Sequence, residues 1–180
     1  MSRKHLTGLF RHKNYISWVI YGVAALLLML LQTAPRVFPS IFGARPLPLI
    51  PFVVCAAILE GAKAGAVIGA LSGLLWGVYA FRLFGFDALL LMLIGLTVGL
   101  LVEWFLRANL LSASVLCTGA VLLWTLADWL CFWVIPLREQ PGAVLLRVLL
   151  PNALYTVLLS PLVYWMVLAL ARFIRRRNRE

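Results

Sequence analysis

Asp128 stands inside an apolar run, in the context Trp124-Thr125-Leu126-Ala127-Asp128-Trp129. A carboxylate at membrane depth is a functional candidate by default, because burying its charge is costly. Ion coupling needs several such groups in relay, and this run has one. An ion pair with Arg82, Arg138 or Arg147, or a protonated carboxyl, is enough to keep Asp128 there. Asn152, Tyr155 and Thr156 are the other polar residues that could meet it. Together they could form an intramembrane polar site of Asp128, Asn152 and Tyr155. The tryptophans fall mostly near predicted membrane interfaces, where an aromatic belt accounts for them; Trp124 and Trp129 could instead line a ligand cavity with Tyr155.

The remaining chemistry-bearing residues exclude more than they suggest. The two histidines, His5 and His12, lie in the basic N-terminal segment. No zinc-protease, nucleophile-elbow or phosphate-loop pattern occurs, so no catalytic, cofactor-binding or metal-binding residue is assigned. Cys55, Cys117 and Cys131 match no ligand spacing and read as small buried hydrophobes. Asp87 opens an apolar segment and is expected to cap a helix. Glu60 with Lys63, and Glu103 with Arg107, are expected to form solvated pairs at helix ends.

The elements that would position these residues are membrane helices. Of 180 residues, 64% are hydrophobic, and mean hydropathy is +1.01. Ordinary globular domains are about 45–50% apolar. A single transmembrane domain over residues 1–180 follows. Sixteen Lys and Arg against six Asp and Glu give a net charge of +10. The cations gather at the two ends, at Arg3, Lys4, Arg11 and Lys13 and again from Arg172 to Arg179. That placement reads as cytoplasmic anchoring beside anionic membrane lipids, not nucleic-acid binding.

Gly61, Gly65, Gly69, Gly73 and Gly77 recur at every fourth position. In water each interior glycine costs a helix about 1 kcal/mol relative to alanine. In a bilayer small residues let helix backbones touch, which is how such helices associate. Gly95 and Gly99 repeat the spacing once. The ladder is expected to mark the central helix of the bundle, winding towards more than one neighbour.

Six apolar segments qualify as spans: about 15–33, 46–59, 62–81, 85–102, 110–135 and 152–173. The second is short. The first runs free of charge for 22 residues, Asn14 to Pro35, and reads as a retained span rather than a secretory signal. With both termini inside, eleven cations face the cytoplasm and five the outside, as the positive-inside rule requires. Gly142–Leu150 is expected to lie along the outer interface or form a loop helix. Pro151 would then open the last span and Pro161 kink it.

The order of motifs adds a resemblance. Arg45-Pro46-Leu47-Pro48-Leu49 is followed by Glu60-Gly61 and the ladder. Leu83-Phe84-Gly85-Phe86-Asp87-Ala88-Leu89 and Gly95-x-x-x-Gly99 come next. Leu150-Pro151-Asn152-Ala153-Leu154-Tyr155 and Ser160-Pro161-Leu162 stand late. Over about residues 15–173 this resembles the rod shape-determining protein MreD family. The family often has aspartate where Gly77 stands, and asparagine at Asp87 and Thr156, so only the packing glycines are carried over. The resemblance implies a six-helix bundle similar to the substrate-binding subunits of energy-coupling-factor vitamin transporters. It implies a non-enzymatic scaffold in the bacterial cytoplasmic membrane. Its partners would be an MreC-like bitopic protein, a RodA-like glycosyltransferase with its penicillin-binding transpeptidase, and the MreB filament.

Two other readings compete. A vitamin-binding transporter subunit would need a polar outward pocket, for which Asp128, Asn152, Tyr155 and Thr156 are candidates. The Ala-x-x-x-Ala surface of such subunits is missing, since Leu28 and Met29 follow Ala24 and Ala25 four residues on. An ion-coupled transporter or lipid-modifying enzyme would need more converging polar groups than the spans contain.

Overall fold

The computed structural model describes residues 15–34, 46–80, 85–105, 109–137 and 141–177. They form helices α1 (Tyr15–Thr33), α2 (Leu49–Glu60), α3 (Ala62–Ala80), α4 (Phe86–Trp104) and α5 (Leu110–Trp129). Helix α5 runs on as a π-helical segment, Leu130–Val134. A short α6 (Pro141–Val144) passes through a second π segment, Leu145–Leu149, into α7 (Leu150–Arg177). No strand occurs among the described residues. The chain is an all-α membrane bundle. Among the described residues, four helical stretches are long and apolar enough to cross a bilayer: Ala62–Tyr79, Phe86–Trp104, Leu110–Val134 and Gly142–Ile174. Val19–Thr33 and Leu49–Glu60 are apolar but shorter. The basic N-terminal segment, both histidines, and Arg36, Arg45, Arg82, Arg107 and Arg138 lie outside the described residues.

The centre of the bundle is α2, not the ladder helix that sequence reasoning placed there. Every residue from Leu49 to Ile58 is buried, and Phe52 to Ala57 are wholly enclosed. Helices α1, α3, α4, α5 and α7 pack around it. Twelve residues at 1.5 Å each rise about 18 Å, well short of a hydrocarbon slab of about 30 Å. Such a helix survives at membrane depth because protein, not lipid, surrounds it. By contrast α3 exposes Val67, Leu71, Val78 and Tyr79 on one side.

The entry to α2 solves a hydrogen-bonding problem. Residues 46–48 precede the helix and are largely buried. Pro46, Pro48 and Pro51 carry no N–H, so few donors need partners there. Leu47 N–H donates to Thr156 Oγ1 at 3.0 Å. Ile50 N–H donates to Leu47 O at 3.2 Å and Phe52 N–H to Pro48 O at 3.1 Å.

Three prolines follow or interrupt the late helices, and the chain absorbs them in two ways. Pro136 and Pro151 each stand two residues after a π segment. A proline ring presses on the carbonyl four residues back, and a widened turn gives it room. Ile135 N–H accordingly reaches Leu130 O, five residues back, at 3.0 Å. The expected break at Pro151 is therefore absent: residues 141–150 are helical and continue into α7. Pro161 is different. It leaves the carbonyl of Val157 without its amide, and Ser160 Oγ donates to that carbonyl at 2.7 Å. Ser160→Ala should destabilise the fold by about 1 kcal/mol, the net worth of one hydrogen bond. Detergent-induced unfolding of Ser160→Ala and of Ser160→Ala with Pro161→Ala would check this. The second change restores an N–H at position 161 and should recover most of the loss.

Candidate functional site

The first candidate is the seam between α3 and α4. A Cβ placed at Gly69 would fall on the backbone carbonyl of Leu91, and one at Gly73 on the backbone of Asp87 and Ala88. One at Gly65 would meet Ala57 Cβ at 2.5 Å and the Gly95 carbonyl at 2.6 Å. Reciprocally, a Cβ at Gly95 would strike the Gly65 carbonyl and one at Gly99 the Cα of Ala62. The two backbones therefore touch along an antiparallel line: 62 with 99, 65 with 95, 69 with 91, 73 with 87–88. The stripe serves mainly one neighbour, with Gly65 also reaching α2. The outer rungs do other work. Gly77 leaves only a 4.0 Å contact with Asp87 Oδ2, and Gly61 is not in α3 at all.

Gly61 is the single residue between α2 and α3. Its φ of 90° and ψ of 176° lie in a region essentially restricted to glycine. Its N–H closes α2 on Ala57 O at 2.9 Å and its carbonyl starts α3 through Gly65 N–H at 2.9 Å. Glu103, at the far end of α4, accepts the Ala62 N–H at 2.9 Å. A carboxylate at a helix N-terminus is favoured by the helix dipole and satisfies an orphan donor. Beside it, Tyr21 of α1 donates to Glu60 at 2.9 Å. The expected pair of Glu60 with Lys63 is thus replaced by a bond from Tyr21, and Lys63 is exposed. Asp87 also departs from expectation. It is buried within the first turn of α4, and left-handed Gly85 holds the cap position with no side-chain cap bond.

The second candidate is a cleft of about 240 Å³ walled by α2, α3, α5, α7 and both π segments. Asp128, 1% exposed, and Asn152 share its wall, with Thr156, Trp76, Trp124 and Trp133. The structure thus gathers Asp128 and Asn152 but not Tyr155 or Trp129. Each lies off the inward face of its helix: Trp129 follows Asp128 by one residue, about 100° round. Trp76 and Trp133 are wall residues that no motif signalled, and Leu47 belongs to the proline-rich motif, which gave no sign of a wall. Two of the three arginines expected near Asp128 are outside the described residues, and Arg147 is exposed.

Hydroxyls of the cleft are spent on their own helices. Thr125 donates to Val121 O at 2.7 Å, and Thr156 to Asn152 O at 2.7 Å. The indole N–H groups of Trp76 and Trp124 are buried and make no hydrogen bond among the described residues. Cys55 and Cys117 lie buried elsewhere, Sγ to Sγ 4.0 Å, as a contact between α2 and α5. Cys131 is only half-buried. No group of three or more His, Cys, Asp or Glu that could hold a metal occurs among the described residues.

Among known families, the model for rod shape-determining protein MreD matches residues 12–174. No curated protein and no solved structure matches.

Proposed function

The chain belongs to the rod shape-determining protein MreD family, and from that premise we propose that it is a non-enzymatic scaffold of the cell-elongation machinery. Family membership implies a role in rod shape determination. The proposal goes further in assigning partners: an MreC-like bitopic protein, a RodA-like glycosyltransferase with its penicillin-binding transpeptidase and, through them, the MreB filament. Its location would be the bacterial cytoplasmic membrane, with both termini inside. The observation that carries the reading is a family match spanning nearly the whole chain. The bundle offers what suits a scaffold: a fully buried centre and broad apolar outer faces on α1, α5 and α7. To regulate a synthase, such a scaffold must bind one state of it more tightly than another. The comparisons give the vitamin-transporter alternative no support.

Depletion in the native cell should turn rods into spheres, and affinity-tagged protein should co-purify the bitopic partner. Cells that keep their shape on depletion would end the proposal. Within it, Asp128→Asn should leave cell shape and partner recovery unchanged, because contact between helices needs no proton carrier. Loss of shape by an Asp128→Asn protein that still inserts and folds would favour an ion-coupled function.

A further inference from the structure

We propose that the cleft between α2, α3, α5 and α7 binds the uncharged carbonyl end of an acyl lipid, held by the indole N–H groups of Trp76 and Trp124. This goes beyond the scaffold reading and does not depend on it. Both N–H groups are buried, lack an acceptor among the described residues, and belong to walls of the same cleft. Trp124 is 4% exposed. A buried donor left unmade is a standing cost, which an arriving acceptor removes. Thr125 and Thr156 have already directed their hydroxyl protons at their own helices. The spare hydrogen-bonding capacity of the two indoles is therefore donor capacity, and the occupant must bring the acceptor.

Charge and size narrow the class. Asp128 stands in the same wall, nearly without exposure. Among the described residues, no cation lines the cleft to offset the cost of burying an anionic guest. Much of the remaining lining is apolar, including Ile50, Val121, Val144 and Leu149. An ester carbonyl with the start of its acyl chain meets all three demands: acceptor, no charge, apolar remainder. The volume is about 240 Å³, room for several waters. It is too small for a partner helix with side chains, which is about 10–12 Å across. Both π segments border the cleft through Trp133, Val148 and Leu149, and such segments occur often at functional sites.

The test uses the full chain in a maltoside detergent, which carries no carbonyl. Monodecanoylglycerol is titrated while the thermal midpoint and tryptophan emission are followed. Wild type should respond saturably. Trp124→Phe should need about 5-fold more ligand, and Trp76→Phe with Trp124→Phe roughly 30-fold more, at about one net hydrogen bond per indole. Decane should give no saturable response, and decanoate a weaker one than the ester. Three results would overturn the proposal. One is an equal response from decane, which makes the cleft merely apolar. Another is an unchanged titration in a folded Trp124→Phe variant. The last is no saturable response in wild type, which leaves the cleft to water.

Discussion

Gly69→Leu is expected to destroy the packed bundle rather than weaken it. The new Cβ would land on the Leu91 backbone carbonyl. A clash with a flexible side chain can be relieved by a rotamer change, but a carbonyl inside α4 cannot move without the helix. The two helices must separate along a line that also joins Gly65 to Gly95, Gly73 to Asp87 and Ala88, and Ala62 to Gly99. Overpacking within a core typically costs about 1–3 kcal/mol. Here the whole seam opens, so a loss above ~4 kcal/mol is expected, at the extreme of single-substitution effects. Controls are built into the chain. Gly22 and Gly119 would meet nothing within 4 Å with a Cβ added. Gly22→Leu and Gly119→Leu should leave stability near wild type. Unfolding of all three in mixed detergent micelles gives the comparison. Equal midpoints for Gly69→Leu and Gly119→Leu would disprove backbone contact at the seam.

The next largest effect is expected at Gly61, from a different cause. Its backbone angles exclude a Cβ at a cost of about 1–3 kcal/mol. A Cβ there would also approach Glu103 Oε1 to 2.7 Å, displacing the carboxylate that accepts the Ala62 N–H. Gly61→Ala should therefore lose about 2–4 kcal/mol, the strain plus about one hydrogen bond. Glu103→Gln separates the two parts. It keeps an acceptor but removes the charge facing the helix dipole, and should cost less than about 1 kcal/mol. Unfolding midpoints of both variants and their combination provide the check. A Gly61→Ala protein as stable as Glu103→Gln would show that the backbone at position 61 is unstrained.

The sequence disclosed some of this and concealed the rest for physical reasons. Six apolar segments were legible because hydropathy alone marks them. The seam was legible in kind, since glycine at every fourth residue has few uses besides close approach. Its partner was not, because a four-residue repeat says which face is smooth but not who lies against it. The centre of the bundle was misplaced for a related reason. Helix α2 is apolar all round and therefore has no inward face for a period to reveal, whereas α3 has one. The bond from the Ala62 N–H to Glu103 was not legible, because the two residues are 41 apart in sequence; Arg107, with which Glu103 was expected to pair, lies outside the described residues. The cleft was legible through Asp128 and Asn152. Trp76 was not, since tryptophan at an apolar helix end is expected at a membrane interface anyway. Pro136 and Pro151 could have announced the two π segments, had proline been read as a reason to widen a turn rather than to stop.

The tie between Leu47 and Thr156 spans 109 residues, and this has a consequence for biogenesis. During synthesis α2 leaves the ribosome long before α5 and α7, which enclose it. Too short to be stable alone in lipid, it must be chaperoned by its neighbours or by the insertion machinery until α7 arrives. Closure of the centre is thus among the last events of assembly. Nascent chains interrupted before α7 are expected to be substrates for membrane proteolysis, however well their earlier segments insert.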